Sequence, residues 1–443
     1  MKLISIIPAY TIRKRKYLWL WVLSAVMISC QQKRSAPDHQ DVLKVERQPA
    51  EYDPQDAIWL IWSPIDHKQG YSNEAVSMAI IEAVAPFTKV VVTAATDSLY
   101  ERALQMIPQD FIREGKVETL LLPSEELWVR DMGPNFVEMS NGKKGIVDFG
   151  FNAWGYVSET GMDDYTIRME KYDEEVAKLR GLLLVSTELI SEGGDREVNG
   201  EGTLMVVETV EQGRNPNWSK KEMEEEFKRV LGVDKVIWLK EGLYEDDHTF
   251  RGPIELENEE NAYTVVTTNG HIDEFARFVN DSTILLAEVP EEDMHDPVAR
   301  ENHRRMSENL AILEAATDQD GNPFHIVRMP LPQLIVRKMK PGDSVYDYIS
   351  TLDYQDGSVF PIGKEINVIA AASYLNFLIS DHVILGQKYW MPGLDEAIKE
   401  RDEEAQRILQ SVFPKREIVM IDALSVNLGG GGIHCITMQE PKI

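Results

Sequence analysis

Apolar positions along this chain alternate between two spacings. Compact runs of four to six apolar residues, suited to strands buried on both faces, give way to stretches where apolar residues return every three or four positions. The run from Ala57 to Trp62 precedes Val76, Ala79, Ile80, Ala83 and Val84, which share a helical face and stop before Pro86. Lys89 to Thr93 and Thr119 to Leu122 read as further strands, with a helical segment around 100–106 between them. Ser219 and Glu222 make a capping box, and Met223, Phe227, Val230 and Leu231 form the buried stripe of a helix ended by Gly232. Lys235 to Leu239 is again strand-like. The pattern returns as a helix over 297–316 with a strand at 324–329, and as a helix over 394–413 with a strand at 417–421. Strand-helix units thus recur about every 70–90 residues. One repetitive α/β domain is predicted, with a doubly wound sheet as the alternative. The first strand is not followed by a Gly-x-Gly-x-x-Gly or Walker-type loop, which counts against a nucleotide-binding sheet.

The N-terminus departs from this pattern. Arg13 to Lys16 are basic and precede an apolar run from Tyr17 to Ser29, a signal-peptide arrangement with a core too short for a comfortable membrane span. The run ends Val26-Met27-Ile28-Ser29-Cys30, which resembles a bacterial lipoprotein processing box although Met27 stands where Leu is usual. The expectation is a leader over 1–29, a lipidated Cys30, a polar tether over 30–54 and a catalytic domain over 55–443. Export would place the protein in the periplasm or on the cell surface, anchored to a membrane. Charge narrows the partners further. With 46 Lys and Arg against 74 Asp and Glu, the net charge of −28 repels phosphate backbones, so no nucleic-acid partner is expected. Cys30 and Cys435 are the two cysteines, too few for a disulfide scaffold or a multi-cysteine zinc site.

Five segments carry candidate chemistry. Cys435 follows four consecutive glycines, Gly429 to Gly432, which cannot pack a core and imply a close backbone approach, with a ligand as the natural candidate. His271 and Asp273 would share a face in strand geometry, a proton carrier beside a carboxylate. Asp131 lies in Trp128-Val129-Arg130-Asp131-Met132-Gly133-Pro134, where Gly-Pro ends a strand or begins a turn. Glu192-Gly193-Gly194 and Gly200-Glu201-Gly202-Thr203 read as a hairpin with its turn glycines.

Taken in order with Arg214-Asn215-Pro216, Gly270-His271-Ile272-Asp273 and Ser373-Tyr374-Leu375-Asn376-Phe377, these segments resemble the agmatine deiminase and bacterial-type peptidylarginine deiminase family over roughly residues 55–441. The resemblance implies a five-bladed α/β propeller around a central site, with no metal or organic cofactor. It implies Cys435 as nucleophile, His271 as general acid and base, Glu192 as its hydrogen-bond partner, and Asp131 and Asp273 as a clamp on a guanidinium. Trp128, Asn376, Gly430 and Gly432 become substrate-binding candidates. The partner is then a small cationic guanidino compound or an arginine side chain. His434, adjacent to the nucleophile, would point to the other face of an extended chain and is read as structural.

Two other readings oppose this one. A catalytically dead lipoprotein that binds cations on its acidic surface leaves five chemically apt residues without a task. A nitrilase-like or papain-like thiol hydrolase leaves the paired carboxylates without one. Substrate choice turns on the long segment between Trp238 and Gly270. Its Arg251 could meet a substrate carboxylate, whereas Glu245, Asp246 and Asp247 at the mouth would attract a second amine. The acid run is the stronger feature, so agmatine is preferred to peptidyl or free arginine.

Overall fold

A computed structural model describes residues 43–157, 161–257 and 260–443. The leader, the first part of the tether and Cys30 lie outside these residues. Every strand and helix expected from the apolar spacing is present, and the repeats are plain as topology. Each unit is an antiparallel strand pair followed by one or more helices and a third strand parallel to the second. Asn135–Met139 and Lys144–Gly150 pair antiparallel, and Leu183–Ile190 returns parallel. Glu197–Val198, Thr203–Val207 and Lys235–Leu239 repeat the plan, as do Ala276–Asn280, Thr283–Glu288 and His325–Pro330. Leu378–Ile379, Val383–Gln387 and Glu417–Ile421 form a further copy.

The remaining blade closes the ring. Gln55–Ile61 and Lys89–Ala94 are its second and third strands, and its first is Met438–Pro441, antiparallel to Gln55–Ile61. Five blades of one topology make an α/β propeller. Val117–Leu121 adds a fourth strand to the closing blade, and Val45–Arg47 adds one to the next. That last pairing corrects the tether boundary: residues 43–54, expected as a linker, belong to the folded unit, which begins at Leu43.

A sixth, smaller sheet lies outside the repeat. Ala262–Thr264 runs parallel to Ile366–Ile369, which pairs antiparallel with Val336–Met339. Its strands come from the long connections on either side of the blade that begins with Ala276–Asn280.

Local chemistry explains the elements. The Ser219 capping box forms in full, and Gly232 ends that helix at φ 65°, a left-handed conformation glycine adopts without a Cβ penalty. Thr203–Val207 is buried along its whole length, as its unbroken apolar run requires. Central strands are covered by helices outside and by neighbouring blades inside, so the apolar core is spread around the ring in several clusters.

Candidate active site

The segments singled out in the sequence share one topological place. Each is the connection from the last strand of one blade to the first strand of the next, and the five connections meet. Trp128 and Asp131 follow the first blade, Glu192 and Gly194 the second, and His271 and Asp273 the third. Asn376 follows the fourth, and the glycine run with Cys435 follows the fifth.

Gly194 marks the centre. A Cβ there would fall 2.5 Å from His271 Nδ1, 2.7 Å from Asp131 Oδ1 and 3.2 Å from Asp273 Oδ2, so three of the predicted catalytic groups surround one glycine. The Gly194 N–H donates to Asp131 Oδ1 at 2.9 Å, and Trp154 Nε1 donates to Asp131 Oδ2 at 2.7 Å. Trp154 and Ala153 have positive φ angles of 55° and 50°, strain for non-glycine residues that aims the indole at the carboxylate.

Asp131 sits on a single helical turn, Val129–Met132. His271 and Asp273 are not on a strand, as their spacing had led us to expect. His271 caps the turn Ile272–Glu274, and buried acids place it: Asp246 Oδ2 accepts from the Gly270 and His271 N–H groups, while Asp195 Oδ1 accepts from Ile272 N.

Cys435 Sγ lies 3.6 Å from Asp273 Oδ2, within reach of a thiol donating to the carboxylate. Asn376 Nδ2 points at the sulfur from 3.0 Å and Gly432 N from 3.4 Å, two donors that would stabilise a thiolate once formed. Asn376 thus attends the nucleophile. The His434 N–H, donating to Asn376 Oδ1 at 2.9 Å, fixes its amide orientation.

The glycine run approaches protein closely, where a ligand had been the natural expectation. A Cβ at Gly429 would strike the His67 ring, and one at Gly430, whose φ is 126°, would strike the Val266 carbonyl. A Cβ at Gly431 would reach Cys435 Sγ at 2.7 Å, and one at Gly432 would reach Asn376 Oδ1 at 2.5 Å. Glycine is required so that the loop can wrap the thiol. Trp128 stacks on His67 at 5.7 Å and meets Trp154 edge-on at 6.4 Å, giving the site an aromatic wall.

The electrostatics follow from burial and charge. Burial opposes ionisation of Glu192, but Arg214, with Nε 2.7 Å from Glu192 Oε1, and His271 outweigh it and hold the carboxyl at about 2. Burial would discharge His271; Asp131 and Glu192 instead raise it to about 10, the latter with Oε2 3.4 Å from Nε2. Burial raises the Asp131 carboxyl above its ordinary value. Asp273 is buried too, yet its bond to His434 pulls it below the ordinary carboxylate range. Burial and the adjacent Asp273, Glu274 and Asp131 push the Cys435 thiol well up. Among the described residues, two buried atoms at the centre have no hydrogen-bond partner: His271 Nδ1 and Asp273 Oδ1.

Several sequence expectations change here. His434 was to point away, but the chain around it is a turn, and its Nδ1 meets Asp273 Oδ2 at 2.7 Å. The acid run does not present free carboxylates at a mouth. Glu245 accepts from Asn302, Asp246 caps the His271 turn, and Asp247 pairs with Arg251 and Arg305. Arg251 is half exposed and bound to Asp247 and Asn269, outside the group around Gly194. Glu51, Trp154, Arg214, Glu274 and Gly194 were not assigned roles in the sequence. Arg214 and Gly194 lay within recognised segments, whereas Glu51 in the polar tether carried no periodic signal.

Among the described residues, two donor sets have metal-like spacing, Asp273-Glu274-Cys435 and Glu51-Glu197-His434, each with ligand atoms within 4.8 Å of one another. Each is already crossed by a protein donor. Asn376 Nδ2 bridges Glu274 and Cys435, and the Arg277 guanidinium lies between Glu51 and Glu197.

The profile of the Porphyromonas-type peptidyl-arginine deiminases matches residues 47–255 and 257–441. The chain belongs to this family. A Pseudomonas aeruginosa agmatine deiminase is 33% identical over 406 residues, covering 89% of this chain and 95% of that one. An agmatine deiminase of Stutzerimonas stutzeri is 32% identical with the same coverage. Among solved structures, the agmatine deiminase of Enterococcus faecalis superposes with a TM-score of 0.68 at 25% identity, over 89% of this chain and 96% of that one. The deiminase fold is the five-bladed propeller traced above, and the chain is a hydrolase of carbon–nitrogen bonds in linear amidines.

Proposed function

We propose that the protein hydrolyses agmatine to N-carbamoylputrescine and ammonia, with Cys435 as the nucleophile. The observation that carries the chemistry is the convergence of Asp131, Asp273 and His271 on Gly194 beside a thiol 3.6 Å from Asp273. A guanidinium is planar and delocalised, and a pair of carboxylates can hold it by charge-assisted hydrogen bonds on two sides. The unpartnered Asp273 Oδ1 and His271 Nδ1 are the atoms such a ligand would meet. Arrival of that cation offsets the negative field that keeps Cys435 protonated, so the thiol releases its proton to water as substrate binds, the proton that in the end converts the ammonia to ammonium.

The thiolate then adds to the guanidinium carbon, forming a C–S bond. His271, charged under the influence of Asp131 and Glu192, gives its proton to the departing nitrogen as the C–N bond breaks and ammonia leaves. The neutral imidazole next takes a proton from water, whose oxygen adds to the amidino-thioether carbon. Breaking the C–S bond yields the ureido product and restores the sulfur.

Agmatine as substrate rests on the relatives, since the acid run once read as attracting its amine is engaged elsewhere. Incubation with agmatine, free arginine and an arginyl peptide, followed by quantifying the ureido products, tests this. Release of N-carbamoylputrescine at the highest efficiency is expected; citrulline formed in the peptide, with none from agmatine, would overturn the substrate and leave the catalytic groups standing. We also propose, from the sequence, that Cys30 carries the lipid anchor of an exported protein. Cys30→Ser should then move the protein from the membrane fraction to the soluble one.

A further inference from the structure

Glu51 lies in the stretch the sequence presents as a tether, yet it is buried against the back of the site. A tight turn places it: Asp53 N donates to the Ala50 carbonyl, Asp53 Oδ2 accepts from Ala50 N, and Arg47 pairs with Asp53. Its carboxylate is used completely. Oε1 accepts from Ile379 N at 2.7 Å, and Oε2 accepts from Arg277 Nη2 at 2.6 Å and meets His434 Nε2 at 2.8 Å.

The other ring nitrogen of His434 meets Asp273 Oδ2 at 2.7 Å. An ionised carboxylate can only accept hydrogen bonds, so an imidazole between two of them must donate from both nitrogens and carry a positive charge. Glu51 and Asp273 are both held below the ordinary carboxylate range, Glu51 against its own burial by Arg277 and His434, and Asp273 against its burial chiefly by His434. The remaining charged groups around the ring are Glu197, Arg277 and Arg130, whose Nε donates weakly to the His434 carbonyl at 3.4 Å. On the other side of His434 stands Cys435, beside Asp273 and Glu274.

We propose that Glu51 is a positioning residue for deimination: through a charged His434 it keeps Asp273 ionised and engages Oδ2, leaving Oδ1 turned to the substrate. This rests on Asp273 being one of the clamp carboxylates. Without the Glu51 charge, His434 can bind the remaining partners as a neutral ring. Asp273 then loses a cation in contact with it and, with Glu51, an anion one ring further away; the nearer loss dominates because Coulomb energy falls with distance. Asp273 becomes easier to protonate, and the lower of the two clamp ionisations on the acid limb of kcat/KM, beneath that of Asp131, moves to higher pH.

The test compares pH profiles of kcat/KM for the full-length protein, Glu51→Gln and Glu440→Gln. Glutamine keeps the shape and one acceptor oxygen, and Glu440, on the ring-closing strand, is a control that pairs with Lys144 and Trp59 without touching His434. On the acid limb of Glu51→Gln the lower clamp ionisation should rise by about one pH unit, an approximately tenfold loss at pH values below both ionisations, while the plateau changes less. Glu440→Gln should lower the melting temperature and leave the limb in place. An unmoved limb in Glu51→Gln overturns the proposal. A second measurement needs no stable variant: in 15N-histidine-labelled protein under the assay conditions, His434 should show two protonated ring nitrogens, and a neutral-ring signature overturns the proposal equally. Failure of the underlying functional reading looks different, as an unmodified protein that deiminates none of the guanidino substrates.

Discussion

Carboxylates flank a buried guanidinium at Arg277, and the cleft of the site is arranged to flank another. Arg277 is fully buried between Glu51 and Glu197, donates to the Leu375 and Phe377 carbonyls at 3.0 and 2.8 Å, and lies 4.6 Å from the Phe377 ring centroid. The cleft between Asp131 and Asp273 repeats the theme with an aromatic wall, but leaves Asp273 Oδ1 and His271 Nδ1 without partners. Holding a guanidinium is therefore not what distinguishes a reactive site here. The difference is the thiol of Cys435 and the charged His271, which the Arg277 pocket lacks, and the unspent hydrogen-bonding capacity that makes occupancy transient.

Each half of that contrast can be broken separately. The largest effect belongs to the nucleophile. Cys435→Ala should abolish ammonia release while still binding agmatine in calorimetry, because the clamp is untouched; ordinary turnover would end the covalent mechanism. At the filled pocket, Arg277→Met strands Glu51 and Glu197 as buried charges, which should cost on the order of 3–5 kcal/mol of stability in denaturant unfolding.

At the clamp, Asp131→Asn and Asp273→Asn should each lower kcat/KM by about two decades or more with the fold retained, since losing one charge-assisted partner of a buried cation is worth about 2–5 kcal/mol. Near-normal efficiency would remove that residue from the clamp. A smaller shift comes from the charge that sustains His271. Its protonated form is favoured up to about 10, so kcat/KM should fall as pH rises through that value. Glu192→Gln should bring this alkaline limb down toward the ordinary imidazole range, and an unshifted limb would detach Glu192 from the acid. Folding stability linked to the raised His271 is fully present below its unfolded value and lost as pH climbs toward about 10. The smallest effect is expected at Arg251, whose exposed pair with Asp247 is worth about 0–1 kcal/mol. Arg251→Ala should change agmatine kinetics by less than about threefold, and a larger loss in steady-state assays would bring it into substrate recognition.

The blades were legible because apolar spacing encodes burial directly: the runs at 57–62 and 235–239 and the stripe from Met223 to Leu231 all form as read. The catalytic residues were reachable only as motifs, since nothing in periodicity says that five connections between blades will meet. Where local geometry had to be assumed, it misled. Strand spacing put His271 beside Asp273, whereas a capped turn does so, and an extended chain would have hidden His434 from Asp273. The acids at 245–247 looked solvent-facing because charge runs usually are, but backbone donors engage Asp246, and Arg251 together with the distant Arg305 engages Asp247. Glu51 was lost for the converse reason: a polar stretch with prolines carries no sign that one of its side chains is buried beneath another blade.

The ring is fastened by a strand that follows the nucleophile almost immediately. Met438–Pro441 zips onto Gln55–Ile61, with Trp59 Nε1 donating to Glu440 at 2.9 Å across 381 positions of sequence. The same seam ties the nucleophile to the closure of the ring. Fraying there withdraws Cys435 from Asp131 and Asp273 while the other four blades keep their strands and helices, so catalysis should fade on warming before the bulk of the secondary structure melts. A thiol released in this way leaves the acidic enclosure that keeps it protonated and inert. The resting enzyme is thereby protected from oxidants, and its partly opened form is exposed to them.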